Sequence, residues 1–519
     1  MSATTAIDTD PVFAEEPWQE PEDAEDTVLV PPRQDIHYLD HQESGVRWMI
    51  AREKVGAPVC RGGVLGDDMG LGKTFQTIGL LKNGEALRTL IVCPPALIAG
   101  WRQELRACGF VVSMMADGVA AWTPVPEGTG VREAVWLTTY PKMGLYRLFL
   151  RDEGFQRVIL DEGHVIRNRK TARWAAADMV AAGAAARWIL SATPVQNSYG
   201  DWRGLCAWLR VTCGESEIPT VGRVVLLRRT MAELRGVMSA LPVAPRYVAH
   251  DLSIPEGTKE GKLFRSLCDQ LDNLMEKRSV SALLKLELYL RIQQFLVHPQ
   301  IYINSMRAKF RSAYPRPDWT ADGGATKWTA VMTEIARGIA AREGTIVFCN
   351  FREEMDRVMG AAVEAGAAAF CIRGGMGVDA VGEAVAAARE TAGRGEAVVV
   401  VVQIVSGGCG LNLQFCRRVL FLSQHWNPAV VHQAVGRAVR IGQKGVVEVH
   451  LFRVVDDVFE NIDRRMVSAH LRKISGAREI CGSLYEGFAP LNESAFFRDS
   501  YQPETQEEAE EEGEGDPSD

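Results

Sequence analysis

The chain has 519 residues, 47% of them hydrophobic, which is enough to fill more than one domain core. Its 11 cysteines include no C-x-x-C pair, which disfavours a zinc ribbon, a RING module or a disulfide framework and predicts a reducing, intracellular compartment. No apolar run reaches the length of a membrane span, and the N-terminal sequence is not that of a secretion signal.

The net charge of −8 comes from the two ends of the chain. Residues 1–30 and 502–519 each hold nine acidic residues and no Lys or Arg, so we expect disordered, solvated tails there. Imitation of DNA or binding of basic proteins is the alternative role for these tails. The body between them carries 48 acids against 58 bases, about +10, which suits a polyanionic partner.

Apolar runs that alternate with helical stretches predict parallel sheets with helices on both faces. The first series of runs lies at 62–65, 89–95, 134–140, 157–164 and 187–194, and the second at 344–351, 368–375, 397–408 and 418–426. Between the two series, residues 255–310 have a helical pattern of leucine and charge, and alanine-rich pieces at 172–186 and 379–389 also favour helix. The fold class is therefore α/β, with two doubly wound parallel-sheet lobes and a helical linker.

The stretch GDDMGLGKT, from Gly66 to Thr74, is close to a phosphate-binding loop, but Asp67 stands where the common pattern has its first glycine. It lies between a short apolar strand and a helical stretch, as phosphate binding requires. Gly70 and Gly72 leave backbone N–H groups free to surround phosphates, Lys73 neutralises them, and Thr74 can hold Mg²⁺. ATP and Mg²⁺ are the predicted ligands.

A second acidic motif, LDEGH at 160–164, follows another apolar strand of the same lobe. Asp161 can hold the metal through water, and Glu162 can polarise the attacking water. Two surface acids in a turn are the simpler alternative, which the matching phosphate loop makes less attractive.

A third motif, QAVGRAVRIGQ at 433–443, lies in the second lobe. In a helix, Gln433, Arg437 and Arg440 would share one face. Guanidinium groups that reach a phosphoryl group from a second lobe stabilise the charge of its transition state. Taken alone, a basic helix face that makes surface ion pairs explains this pattern equally well.

The order of the motifs resembles the SWI/SNF-type ATPases of helicase superfamily two. The motifs are GDDMGLGKT, IVCPPALIAGW, LDEGH followed by VIRN, SATPVQNS, LLRRT, VFCNF, GGCGLNL and HWNPAVVHQAVGRAVRIGQ. The resemblance runs from residue 39 to about residue 455. The loop of that superfamily is A-x-x-G-x-G-K-T, which accommodates Asp67. Near HWNP this chain departs from the family pattern at two positions. Ser423 stands where the family usually has an aspartate, and His425 stands where the family has the first tryptophan of WWNP.

The resemblance implies roles for individual residues. Gln42 corresponds to the adenine-reading glutamine, and Gly70, Leu71, Gly72, Lys73 and Thr74 to the nucleotide-binding loop. Asp161 corresponds to the metal carboxylate, Glu162 to the catalytic base, and Arg437 and Arg440, with Gln433 beside them, to the arginine fingers. His164, Ser191 and Thr193 correspond to the residues that couple hydrolysis to lobe movement. Pro94, Trp101, Thr139, Ser406 and Asn412 lie in motifs that touch or flank the nucleic-acid backbone.

The resemblance also implies a domain plan. It consists of an acidic tail (1–30), a RecA-like ATP-binding lobe (31–250), a helical linker or protrusion (251–325), a second RecA-like lobe (326–475), a brace-like segment (476–501) and a second acidic tail (502–519). No further targeting domain is recognisable in the sequence.

The function expected from the resemblance is an ATP-dependent double-stranded DNA translocase that displaces or remodels DNA-bound proteins, working as a monomer away from membranes. A strand-separating helicase would share every ATP-binding residue. A non-hydrolysing scaffold that recruits transcription or repair factors would have lost Glu162 or the arginines, and all are present. The family implies a nuclear location in a eukaryote, while a viral or bacterial source stays open.

Overall fold

The structure is a computed structural model, and it describes residues 28–54, 61–195, 199–211, 218–235, 238, 241–277, 281–310, 317–320, 323–404, 411–423, 425–455 and 463. Ser406, the predicted brace-like segment, the second predicted acidic tail and residues 1–27 of the first tail lie outside the described residues. Among the described helices, none combines the length and the apolar character needed to cross a bilayer.

Within the described residues, seven parallel strands form the first sheet, in the order β3-β4-β2-β5-β6-β1-β7. The inner strands are buried along nearly their whole length, which explains why their sequences are continuous apolar runs. The strands are β1 (Gly62–Leu65), β2 (Thr89–Cys93), β3 (Val111–Met114), β4 (Ala134–Thr139), β5 (Arg157–Asp161), β6 (Ala186–Leu190) and β7 (Leu226–Leu227).

Helices cover both faces of this sheet. Thr171 begins one of them by accepting a hydrogen bond from Trp174 N, 3.2 Å away. The helices are α1 (Asp40–Lys54), α2 (Lys73–Asn83), α3 (Ile98–Ala107), α4 (Tyr140–Leu145), α5 (Arg147–Asp152), α6 (Ala172–Val180), α7 (Tyr199–Trp208), α8 (Ile218–Val225) and α9 (Met231–Arg235).

The second sheet has six parallel strands among the described residues, in the order β10-β11-β9-β12-β13-β8. The strands are β8 (Arg246–Leu252), β9 (Gly344–Cys349), β10 (Ala368–Ile372), β11 (Val398–Gln403), β12 (Cys416–Phe421) and β13 (Glu448–Val454). Helices α13 (Thr326–Ala340), α14 (Arg352–Glu364), α15 (Val378–Gly393) and α16 (Pro428–Val435) pack around it.

Three helices separate β8 from the rest of the second lobe: α10 (Lys259–Met275), α11 (Ala282–Val297) and α12 (Pro299–Phe310). Their apolar faces form a core of their own, built around Phe264, Phe295 and Tyr302. The predicted fold class, two parallel-sheet lobes with a helical linker, is confirmed.

Strand β8 crosses the predicted boundary at residue 250. It pairs with β13 along its whole length, from Arg246 opposite Glu448 to Leu252 opposite Val454. By sheet membership the second lobe therefore includes Arg246, because seven consecutive residues join its edge. The other predicted domain bounds stay predictions.

Candidate active site between the lobes

The loop from Gly66 to Gly72 joins β1 to the N-terminus of α2. Gly70 and Gly72 both have φ of 82°, in the left-handed region that favours glycine. A Cβ on Gly72 would lie 2.2 Å from Gln42 Nε2, so a larger residue would also collide with α1. A turn of this kind at a helix N-terminus is the local structure that binds phosphate.

Lys73, at the start of α2, lies folded onto its own loop. Its Nζ donates to Asp67 O at 2.6 Å and to Asp68 O at 3.2 Å. Burial lowers the pKa of this ammonium, and the nearby carboxylates of Glu162, Asp67 and Asp161 oppose that effect. The cation is thus held among acids at the carboxyl edge of the sheet.

Asp67, the residue in place of the missing glycine, is fully buried and paired with Arg229. Arg229 Nη2 donates to Asp67 Oδ2 at 2.6 Å, and Gln76 Nε2 donates to the same oxygen at 2.9 Å. Burial alone would raise the pKa of Asp67, but Arg229, together with Gln76 and Lys73, holds that pKa below its usual range. The aspartate therefore stabilises the loop by binding it to Arg229, which follows β7.

The next loop residue, Asp68, has its own arginine partner. Arg228 Nη2 donates to Asp68 Oδ1 at 3.0 Å, and Arg228 Nη1 donates to the carbonyl oxygens of Gly66 and Ala192. The sequence reasoning gave the two arginines of LLRRT no role. Their pairing with the loop could have been inferred from the sequence, because two adjacent acids, Asp67 and Asp68, and the two adjacent bases of LLRRT lie in apolar surroundings where charged groups need partners.

The acidic motif lies at the carboxyl end of β5. Asp161 Oδ2 accepts a hydrogen bond from Trp101 Nε1 at 2.7 Å, and Asp161 Oδ1 accepts one from Glu162 N at 3.0 Å. Burial and the neighbouring Glu162 carboxylate raise the pKa of Asp161 to about 6. Glu162 itself has φ of 51°, an uncommon conformation for a residue other than glycine. Strain of this kind is concentrated at functional sites.

A chain of polar contacts leads from Glu162 to the end of β6. His164 Nδ1 lies 3.3 Å from Glu162 Oε2 and 3.0 Å from Ser191 Oγ, which accepts a hydrogen bond from Thr193 N at 3.2 Å. Burial tends to raise the pKa of Glu162, but His164, Lys73 and Arg437 hold it below its usual range. The predicted coupling residues therefore contact one another and the predicted base.

The second lobe supplies the opposite wall of the cleft. Gln433 Nε2 donates to Glu162 Oε2 at 3.4 Å, across 271 residues of sequence. Arg437 is buried and close enough to Glu162 to lower its pKa. Burial and the neighbouring Arg437 lower the pKa of Arg440 to about 9, against the pull of Glu162.

The backbone around these arginines differs from the prediction of one continuous helix. Helix α16 begins at Pro428, where Asn427 Oδ1 accepts a hydrogen bond from Ala429 N at 3.0 Å, and it ends at Val435. Arg437 and Arg440 follow in tight turns, in which Arg437 N donates to Ala434 O at 3.1 Å. Gln433 therefore lies within α16 and the two arginines lie beyond its end, so the condition for a shared helix face is not met.

The two walls touch at the phosphate loop. A Cβ on Gly436 would lie 2.9 Å from Met69 Sδ, and a Cβ on Gly70 would lie 3.5 Å from Arg440 Cα. The loop and the arginine turns are therefore packed against each other, and the lobes are closed around the cleft.

Gln42 lies on α1 beside this loop. Its Nε2 donates to Leu71 O at 3.2 Å, and its Oε1 accepts from Leu39 N at 3.2 Å. His41 Nε2 also lies 2.9 Å from Leu71 O. Both side chains fix the loop backbone, and the sequence reasoning missed His41.

The residues predicted near nucleic acid differ in accessibility. Pro94 follows β2 and Thr139 is the last residue of β4, and both are buried. Asn412 is partly exposed and lies beside Arg389, which donates to its carbonyl oxygen at 3.2 Å. Trp101 is 3% exposed, and its indole donates to Asp161. Trp101 therefore holds an acid of the ATP site in this conformation, and its place in a motif that touches or flanks the nucleic-acid backbone stays a prediction.

Ser423, which replaces the family's aspartate, keeps a structural contact. Asn350 Nδ2 donates to Ser423 Oγ at 2.9 Å, and Ser423 Oγ lies 3.5 Å from Glu354 Oε1. The hydroxyl therefore still joins β12 to the start of α14.

The donor set of the cleft fits a nucleotide with a divalent cation. Asp161 and Glu162 are adjacent carboxylates, and burial together with the charge of Glu162 raises the pKa of Asp161. A bound cation relieves such crowding. The glycine turn, Lys73 and the arginines of the second lobe provide the positive groups that a triphosphate requires. Fold and cleft together define a two-lobed, RecA-like ATPase.

Comparison with known proteins identifies the family. The SNF2-related domain matches residues 41–217, and the helicase conserved C-terminal domain matches residues 326–442, so the two models together cover more than half of the chain. The chain belongs to the SNF2-type ATPases of helicase superfamily two, and it is an ATPase of the helicase-like, ATP-dependent class.

Among its relatives is a protein named "Probable global transactivator" from Orgyia pseudotsugata multicapsid polyhedrosis virus, 26% identical over 85% of this chain and 91% of that protein. The DNA repair and recombination protein of Saccharomyces cerevisiae is 21% identical, over 80% of this chain and 55% of that protein. The Sulfolobus solfataricus SWI2/SNF2 ATPase core in complex with dsDNA is 20% identical, over 89% of this chain and 97% of that one, with a TM-score of 0.37.

Proposed function

We propose that this ATPase moves along double-stranded DNA and displaces or remodels the proteins bound there. The observation that carries the proposal is the contact between Glu162 of the first lobe and Gln433 of the second, with Arg437 beside them. A cleft whose walls come from separate lobes converts nucleotide turnover into relative lobe movement. The basic body of the chain, about +10, suits a polyanionic track.

In this mechanism the first lobe holds the nucleotide. Gln42 reads the adenine, and the backbone from Gly70 to Gly72, including Leu71, surrounds the phosphates. Lys73 exchanges the carbonyl oxygens of Asp67 and Asp68 for phosphate oxygens. Thr74 and Asp161 would hold Mg²⁺, which neutralises phosphate charge when it is bound.

Glu162 then accepts a proton from the attacking water, and Gln433 and His164 hold its carboxylate in place. The lowered pKa of Glu162 keeps its carboxylate ionised, and an ionised carboxylate can accept a hydrogen bond from the attacking water and orient it. Arg437 and Arg440 stabilise the charge that develops on the transferred phosphoryl group. Release of that group weakens the attraction between the walls.

The contact chain from Glu162 through His164 to Ser191 and Thr193 would carry this change to the end of β6. Ser191 N donates to Leu65 O at 3.1 Å, so the end of β6 is also fixed to the strand that leads into the phosphate loop. We also propose that the segments around Pro94, Trp101, Thr139, Ser406 and Asn412 touch or flank the DNA backbone. Such contacts set position without reading sequence.

The partners are also part of the proposal. Relatives of this chain include a chromodomain-helicase-DNA-binding protein of Danio rerio and a SWI/SNF-related regulator of chromatin of Mus musculus. By analogy we propose duplex DNA and DNA-bound proteins as partners, a monomeric motor and an intracellular location.

The decisive experiment measures ATP hydrolysis alone and with single-stranded DNA, duplex DNA or RNA. We expect duplex DNA to stimulate turnover most, and Glu162→Gln to lower the stimulated rate by about 10²–10⁴-fold. Glu127→Gln, an exposed glutamate of the same lobe, is the control and should behave as the unaltered protein.

A second assay separates the translocase from the strand-separating helicase. We expect ATP-dependent displacement of a protein block from duplex DNA without release of an annealed strand. Strand release in the absence of a block would favour the helicase. Preferential stimulation by RNA, or stimulation by no nucleic acid, would contradict the proposal.

A further inference from the structure

A histidine pair lies at the edge of the second sheet, away from the ATP cleft. His250 on β8 and His450 on β13 stack with ring centroids 5.3 Å apart, and His250 Nε2 lies 3.0 Å from His450 Nδ1. Glu334 on α13 covers this face, with Oε2 3.8 Å from His450 Nδ1. One atom from each of the three side chains falls within 4.8 Å of the other two.

These separations are close to those of a metal centre. Imidazole nitrogens bind zinc at about 2.0–2.1 Å and carboxylate oxygens at about 2.0–2.2 Å, so tetrahedral ligand atoms lie roughly 3.3 Å apart. The observed 3.0 and 3.8 Å bracket that value. All three atoms lie within 4.8 Å of one another, so they would have to draw together to hold one ion.

The far side of the His450 ring also fits a metal ligand. His450 is 3% exposed, and its Nε2 has no hydrogen-bond partner within the described residues, although Glu448 Oε2 lies 3.5 Å away. A histidine that binds a metal through one nitrogen commonly directs the other toward a carboxylate, which orients the ring. Glu448 is placed for that role.

The two imidazoles direct the nitrogens that a metal requires toward each other. His250 Nε2 and His450 Nδ1 lie 3.0 Å apart, so an ion would replace the hydrogen bond between the rings and displace the proton of that bond.

The competing occupant of this face is Arg418 on β12. Its Nη2 donates to Glu334 Oε2 at 2.6 Å, and its Nη1 donates to Glu448 Oε2 at 3.1 Å and lies 3.7 Å from Glu343 Oε2. A guanidinium with three carboxylates around it can release one and keep the other two. Glu334 Oε2 is thus available to an ion, at some cost in affinity.

We propose that His250, His450 and Glu334 form a binding site for a divalent transition metal, for which zinc is the best match. Two imidazoles and one carboxylate suit zinc, and a water completes a tetrahedron. The ion would fasten β8 to β13 and to α13, and so stabilise the second lobe rather than take part in hydrolysis. The proposal does not depend on the function proposed for the ATP cleft.

The test is a zinc titration of the full chain, freed of metal with a chelator and kept without nucleotide and magnesium. We expect one tight equivalent of zinc and a higher melting temperature with zinc bound. His250→Asn should lower the affinity at least 100-fold, and Glu448→Gln should lower it about tenfold, because it removes only the outer partner. His37→Asn, at an exposed histidine of the first lobe, is the matched control and should bind zinc normally.

Cobalt offers a measurement that needs no variant. In the unaltered protein Co²⁺ should give the visible bands of a tetrahedral site, without the near-ultraviolet absorption of a cobalt thiolate. Absence of those bands, or zinc binding that is equal in His250→Asn and the unaltered chain, would overturn the proposal. The histidines would then be part of the Arg418 ion-pair network alone.

Discussion

The two sheets share a strand order, yet only the first carries a phosphate loop. The order β3-β4-β2-β5-β6-β1 in one corresponds to β10-β11-β9-β12-β13-β8 in the other, so β8 holds the place of β1. Strand β1 leads into the glycine turn and α2, whereas β8 leads toward the helices α10 to α12. The chemistry thus depends on the segment that follows one strand and not on the sheet.

The lobes also differ in the surroundings of a buried ion pair. Each lobe has such a pair between a helix and a strand at the same position of its sheet, β5 in the first and β12 in the second. In the first lobe the Glu53 carboxylate of α1 accepts hydrogen bonds from Arg157 of β5 and from Trp188 of β6. The distance from Trp188 Nε1 to Glu53 Oε1 is 2.8 Å. In the second lobe Glu334 of α13 accepts from Arg418 of β12, and His450 of β13 takes the place of the tryptophan. An indole can only donate, whereas an imidazole can also bind a metal.

The largest effect is expected where the second lobe acts on the first. Arg437→Gln should lower the DNA-stimulated ATPase rate by about 10³-fold or more, because it removes transition-state charge stabilisation while the first lobe still binds nucleotide. The measurement is steady-state hydrolysis together with nucleotide affinity. Arg417→Gln, at an exposed position on β12, is the control. A loss below about tenfold would show that Arg437 contributes no catalytic charge.

The buried ion pairs should differ in strength. Glu53→Gln leaves Arg157, whose side chain is 1% exposed, without its carboxylate, and should cost about 3–5 kcal/mol in the free energy of unfolding. Glu334→Gln should cost less, about 1–2 kcal/mol, because Arg418 keeps Glu448. Urea unfolding with a chelator present measures both. Glu364→Gln, exposed on α14, should change stability by less than about 0.5 kcal/mol. Equal losses at Glu53 and Glu334 would remove the distinction between the lobes.

The smallest effect is expected at Trp101, which the first lobe uses to hold Asp161. Trp101→Phe keeps the buried ring but removes the hydrogen-bond donor, so the apparent affinity for Mg²⁺ should fall about tenfold. The rate at saturating Mg²⁺ should change only a few-fold. Trp202→Phe is the matched control, because the indole nitrogen of Trp202 is buried and makes no hydrogen bond to the described residues. Identical Mg²⁺ dependence in the two variants would contradict the role of Trp101.

Much of the fold was predictable because buried parallel strands are continuous apolar runs. The nine runs identified in the sequence all contain strands of the structure, from β1 to β12. Strands β3, β7, β8 and β13 were missed. β3 and β7 are short, and β8 has an alternating pattern of exposure typical of an edge. β13 is buried, but it follows the arginine turns, after the last run that was identified.

The sequence by itself determined which chemistry the cleft holds. Gly70, Gly72 and Lys73 follow one strand and Asp161 and Glu162 follow another, and parallel strands of one sheet bring their carboxyl ends to one edge. The apolar runs and the turn residues of the sequence are therefore enough to place the phosphate loop and the acidic motif at the same edge of the sheet.

Only the tertiary structure decided the pairings across distant parts of the chain. Arg229 meets Asp67 across 162 residues, and Gln433 meets Glu162 across 271. His250 meets His450 because β8 returns to the edge of the second sheet. Such contacts depend on strand order and lobe packing, which no local pattern contains, since each partner alone satisfies the same sequence rules as any buried polar residue.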